Sequence, residues 1–238
     1  TSHLYDIFRY RILDTNSYIE EIWAYGYWAI DRCAHIIKEG ASFKEVTKGD
    51  LTEVEGCIAQ AYAIKALCSF YLTNMFGLPY SEANKTTLGI VNVTEPVPAY
   101  SQVSRVSVEQ NYSLILDDIT KAKEYYAKEG VENVGKQYMN TAAVAALEAR
   151  VKLYMKNYEG TITAAQEAIT LSGGTIVSTK EDYKNMYTTL AVSTEDIFFI
   201  AKAEDDYLSA NALNTLWNKY GLSINSATIA EYSSNDIR

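Results

Sequence analysis

The sequence predicts an all-α protein built from helical hairpins, with long irregular loops and little β. Three observations carry this. Apolar residues recur at steps of four and three over several long segments, the period of one helix face. Two of those segments open on a capping pair, Asp50 with Glu53 and Ser107 with Gln110, and others close on Gly or Pro. One alanine-rich pair of segments shows the spacing of a close-packed hairpin, with all three prolines of the chain confined to a single stretch elsewhere.

The elements follow in order. Residues 1–17 mix polar and aromatic side chains, with Tyr5, Phe8 and Tyr10 prominent, and read as a short helix or loop. From Tyr18 to Gly40 the stripe Ile19, Ile22, Trp23, Tyr27, Ile30, Ala34 and Ile37 predicts a helix, with Gly40 placed as its C-terminal stop. Asp50 and Glu53 read as the capping pair of a second helix through Met75. Its seam is Cys57, Ala61, Ile64, Cys68, Tyr71 and Met75, and Gly77 and Pro79 end it. Residues 77–107 have no helical period and hold Pro79, Pro96 and Pro98; a loop this long is functional or tied down by its surroundings. Ser107 and Gln110 form the next capping box. Behind it Val108, Tyr112, Ile115, Ile119, Ala122 and Tyr126 make a regular seam, with Asp117 and Asp118 in mid-helix. For that acid pair a solvated face is favoured over acid–base work.

Thr141–Tyr158 is apolar on nearly all sides, as an enclosed helix should be. A further helix at Thr161–Leu171 precedes Ser172–Gly173–Gly174. Ala149, Thr161 and Ala168 sit at intervals of twelve and seven, the small-residue spacing of a tetratricopeptide hairpin, with Tyr158 at its aromatic turn position. The expected pairings are 19–39 with 51–76 and 141–157 with 161–171, with 108–128 between them. Further on, Asp182–Tyr187 reads as a helical turn and Ile197–Ala201 as a short β-like run. Thr228–Glu231 reads as the cap of a short helix ending near Tyr232.

Composition narrows the function. A net charge of −9 over 238 residues repels phosphate backbones and anionic membranes, and no Lys/Arg cluster offsets it. No stretch approaches the ~20 consecutive apolar residues of a membrane helix, and no signal peptide is evident. Of three cysteines, Cys57 and Cys68 lie eleven apart on one helix, roughly 16 Å along its axis, too far to pair. Cys33 could pair with either, but buried free thiols are the favoured reading. Tyrosine is the outlier, with 20 Tyr against 6 Phe and 3 Trp. Some of these rings fill helix contacts, and a surplus suits a wet binding face. Two histidines and no HExxH, GxSxG, GxGxxG or Walker A pattern leave catalysis, a metal site and a cofactor without support. A carboxylate-based glycosidase has no fixed spacing and stays open as a third reading.

Several segments carry a resemblance. EGCIAQAYAIKALCSFYLTNMFGLP is similar to the signature helix of the SusD/RagB family, "GEA…RAyyyf.L…FG.vP". WAYGYWAIDRCAHII resembles the family's "W…Y..I..aN.ii", with Cys33 where Asn is usual. Arg105, Tyr112, Asp118 and Ala122 match "R.s.eevY..I..DL..A". TAAVAALEARVKLYMKNY resembles "AA.alLArvyLy.g.w", Glu195 and Phe198 match "s.EiIF.i", and EYSSNDIR resembles "Y…D.R". The later family segment "RyAEvlLmyAEA.N" has no counterpart. The resemblance implies a single helical domain over 1–238, the N-terminal part of a longer protein. It implies a cell-surface lipoprotein of a Gram-negative outer membrane, its lipid anchor upstream of Thr1. Such a protein binds a nutrient, usually an oligosaccharide or polysaccharide, and hands it to a SusC-like TonB-dependent transporter. It is not an enzyme. The ligand-binding candidates are loop aromatics outside the seams: Tyr10, Tyr80, Tyr100 and Trp217. The competing reading is a tetratricopeptide scaffold that binds a protein.

Overall fold

The computed structural model describes residues 7, 9–188, 191–201, 223–233 and 236. The chain divides into two compact units. One comprises 14–174 with 197–199, the other 1–13, 175–196 and 200–238. Among the described residues the regular structure is helical, apart from one isolated bridge between Leu88 and Ser107.

Five helices build the first unit: α1 (Ser17–Val46), α2 (Thr52–Phe76), α3 (Val108–Tyr126), α4 (Thr141–Tyr154) and α5 (Tyr158–Ser172). Each packs on the next, so α3 lies between the two hairpins as expected. A Cβ on Gly26 would stand 2.9 Å from Leu72, and one on Gly40 2.9 Å from Ile58. Contacts that run up one helix and down the other make α1 and α2 antiparallel.

Gly40 therefore has a different role from the expected stop. It lies inside α1, where the missing side chain admits Ile58. Gly77, by contrast, ends α2 as expected: it is the C-cap after Phe76, in extended rather than left-handed backbone with φ −109°, and a Cβ would meet the Thr73 carbonyl at 2.7 Å. The Asp50/Glu53 box does not form. Leu51 is the N-cap of α2 and Asp50 accepts the Thr52 N–H at 2.9 Å. The Ser107/Gln110 box is present with both reciprocal bonds, and the whole Val108–Tyr126 seam is buried. α4 ends at Tyr154 rather than Tyr158. Lys156 turns the chain at φ 62°, and the Asn157 side chain accepts the Gly160 N–H to cap α5 early. Ala149 and Ala168 are buried as the hairpin spacing requires. Thr161 is only half-buried and bonds the Asn157 carbonyl.

Ile197–Ala201 forms no strand. The Asn140 amide donates to the Ile197 carbonyl, Phe199 N–H donates to Lys136, and Ile197 and Phe198 pack on the α2–α3–α4 core. In the second unit, α6 (Lys180–Thr188) spans the expected turn. α7 (Ser226–Ala230) is capped by Asn225, upstream of the expected Thr228.

Candidate ligand-binding surface

The long loop is half interior. Ile90 and Val93 are core residues beside Ile30, Ala34 and Leu72. Burying extended backbone demands partners for its N–H and C=O groups, and three helices each supply one. Tyr27 Oη of α1 donates to the Val91 carbonyl at 3.0 Å and accepts its N–H at 2.8 Å. Asn111 of α3 accepts the Ile90 N–H at 2.8 Å and donates to the Ile90 carbonyl at 3.1 Å. Lys65 Nζ of α2 donates to the Val93 carbonyl at 3.3 Å. Arg105 adds bonds to the carbonyls of Phe76 and Gly89, joining the end of α2 to the loop. The space between α1, α2 and α3 thus holds a peptide of the chain itself.

Lys65 has a second partner, Asp118 Oδ1 at 2.9 Å, and both side chains are only 3% exposed. This overturns the solvated reading of Asp118, whereas Asp117 does face solvent. Burial pushes the Asp118 carboxyl up to about 6 against the opposing pull of Lys65. Oδ2 has no protein partner. The two acids are not a catalytic pair, because one is interior and the other exposed on the same helix. Nearby, burial pushes the Cys33 thiol up to about 12, which keeps it protonated. Cys33 is buried and Cys68 half-buried, as expected of seam thiols; Cys57 is exposed, contrary to expectation. Among the described residues, no group of three His, Cys, Asp or Glu side chains is placed to hold a metal.

Tyr80 and Tyr100, the two loop candidates of the first unit, stand in different surroundings. Tyr80 is half-buried with its ring 4.9 Å from Tyr112, packed against the core. Tyr100 projects fully into solvent from a left-handed backbone, φ 63°. Tyr10, in the other unit, is also exposed at φ 55°. Trp217 lies outside the described residues. An aromatic pair that the loop criterion passed over stands on α1 instead. Tyr25 and Trp28 are 60% and 58% exposed, with ring centroids 5.2 Å apart and planes at 90°. The available signal was their absence from the Ile19–Ile37 stripe, because a large ring off the buried stripe must face outward. At the other end of the α1–α2 hairpin an apolar groove of about 690 Å³ is lined by Ile36, Phe43, Val46, Val54 and Cys57. It offers few groups to a polar ligand.

Residues 3–153 match the family model SusD-like_3, described as starch-binding associating with outer membrane. Among curated protein sequences there is no match. Among solved structures, a putative sugar-binding protein from Bacteroides vulgatus is 26% identical with a TM-score of 0.73. The match covers 87% of this chain and 46% of that one. A SusD superfamily protein from Bacteroides thetaiotaomicron is also 26% identical, with a TM-score of 0.67, over 77% of this chain and 39% of that one. The surface glycan-binding protein A of Bacteroides fluxus shares the fold at 23% identity and a TM-score of 0.51, over 69% of this chain and 32% of that one. The chain spans less than half the length of each.

Proposed function

This chain belongs to the SusD-like family, and we propose that it captures glycan for nutrient uptake. In this reading it sits at the cell surface of a Gram-negative outer membrane. It holds an oligosaccharide or polysaccharide and delivers it to a SusC-like TonB-dependent transporter without cutting it. The match of more than half the chain to a family described as starch-binding carries the reading. The sugar-binding description of the Bacteroides vulgatus protein supports it. The tetratricopeptide-scaffold alternative loses ground on one observation. A guest peptide could not use the space between α1, α2 and α3, which already holds Ile90–Val93, and would be left with the apolar groove at the far end of the α1–α2 hairpin.

Affinity electrophoresis through gels containing soluble starch, laminarin, xylan or mannan tests the glycan part. Retardation in at least one gel, with no rise in reducing ends after incubation, is the expected result. Unchanged migration in all four would count against it, and release of reducing ends would favour a glycosidase. Isolation of a β-barrel transporter with the tagged protein from solubilised outer membranes tests delivery. Recovery of the tagged protein without any barrel would remove that part alone.

A further inference from the structure

We propose that Lys65 and Asp118 work as a proton-operated latch on the loop between α2 and α3. When Asp118 takes up a proton, Lys65 turns from it to the Val93 carbonyl and holds the base of the exposed tip more tightly. The proposal is independent of what the protein binds.

One ammonium serves two acceptors. Lys65 Nζ, on α2, lies 2.9 Å from Asp118 Oδ1 of α3 and 3.3 Å from the Val93 carbonyl oxygen. It also stands 5.5 Å from the centre of the Tyr62 ring. Both side chains of the ion pair are interior, so the two acceptors compete for the ammonium away from bulk water. An ionised carboxylate is a stronger acceptor than a neutral carbonyl and takes the shorter bond. A proton on Asp118 removes that advantage. The ammonium then closes on Val93, because a buried charge is costly without a strong partner.

Asp118 is the member of the group placed to accept the proton. Its Oδ2 is buried and has no protein partner. Burial raises its carboxyl to about 6 against the pull of Lys65, and the neighbouring Asp117 adds to the rise. The thiols and the phenol around the pair stay uncharged. Burial pushes Cys33 of α1 to about 12 and raises Cys68 and Tyr62 of α2 above their ordinary values. On α3, Asp117 is exposed, and Lys121 is exposed and paired with Glu124 at 2.7 Å. On the loop, Glu95 is turned outward to Lys38 at 3.9 Å. Val93 is buried and the exposed tip begins at Thr94, so a tighter bond at Val93 restrains the tip where it leaves the body. The latch therefore closes as pH falls through about 6.

The test is a pH titration by nuclear magnetic resonance of the full chain, isotope-labelled at valine and aspartate carbonyl and carboxyl carbons and at threonine nitrogens. Val93–Thr94 gives one of two Val–Thr signals, and Val46–Thr47 gives the other and serves as control. From about pH 8 to about pH 5 the Asp118 carboxyl and the Val93 carbonyl should titrate together. The Val93 carbonyl should move to lower field, the direction of a stronger hydrogen bond. Hydrogen exchange over residues 89–95, corrected for its intrinsic pH dependence, should be several-fold slower at the acid end. Asp118→Asn keeps the shape of the neutral acid and should hold both readouts near their acid values throughout. Asp117→Asn should keep the joint titration. A Val93 carbonyl that stays still, or moves to higher field, while Asp118 titrates overturns the latch. An Asp118 carboxyl that does not titrate in this range overturns it too. Both signals come from the wild-type chain, so the outcome is decided even where Asp118→Asn does not fold.

Discussion

The connection between α2 and α3 contains two stretches of opposite character. Residues 89–93 lie among three helices with backbone groups bonded to Tyr27, Lys65 and Asn111. Residues 94–104 are largely exposed, and Tyr100 at their tip stands free in solvent. Both are irregular and neither has a sequence period. What separates them is which groups satisfy the backbone. The first stretch depends on specific side chains far away in sequence, and the second depends on water. Substitutions should therefore be costly around the first and nearly silent in the second.

The largest effect is expected at the buried ion pair. Asp118→Ala strands the Lys65 ammonium in the interior and should cost about 3–5 kcal/mol in urea unfolding. A loss below 1 kcal/mol would mean that the site is wetter than its burial indicates. The pH dependence has a definite sign. The folded Asp118 carboxyl, at about 6, lies above its ordinary value of 3.8. Its contribution is thus fully present below the lower value and is lost as pH rises through the upper one. Wild-type stability measured against Asp118→Asn should fall between pH 4 and 6 and be level above. A rise over that window would reverse the assignment.

Gly89→Ala comes next. An added Cβ would lie 1.8 Å from Asn111 Oδ1, so the bonds between Asn111 and Ile90 must break or the loop must move. A loss of about 3 kcal/mol is expected, measurable as a lower denaturation midpoint at constant slope. Tyr27→Phe removes the hydroxyl that serves both polar groups of Val91 and should cost about 1–2 kcal/mol. Tyr100→Ala, in the exposed stretch, should stay within about 0.5 kcal/mol of wild type. A Tyr100 variant as damaging as Tyr27→Phe would erase the distinction between the two stretches.

Features that depend on nearby residues were legible in the sequence. The Ser107/Gln110 box, the α3 seam and the enclosed α4 are fixed by residues within a few positions. Features fixed by partners far along the chain were not. Gly40 has the sequence context of a helix stop, and only Ile58 on the facing helix gives it another role. Asp118 looks like any surface acid until Lys65, 53 positions earlier, is placed beside it. Loop position drew attention to Tyr80 and Tyr100, of which one packs half-buried against the core and the other stands in solvent. Position off a buried stripe marks exposed rings such as Trp28 without knowledge of any partner.

The loop is also pinched shut at its base. Gly89 N–H donates to the Val106 carbonyl at 2.7 Å and Val106 N–H donates to the Ile90 carbonyl at 3.0 Å, so the exposed stretch 94–104 leaves the anchored Val91–Val93 and returns beside it. Beyond the anchored part, the exposed tip meets α1 through a surface ion pair, Glu95 with Lys38 at 3.9 Å, a contact worth little. Doubling the length of such a closed loop costs only about 0.6 kcal/mol in closure entropy. The tip is therefore a graft point: foreign sequence inserted beside Tyr100 would be displayed on an unchanged scaffold, and lineages could exchange tips of different length and chemistry without redesigning the bundle beneath.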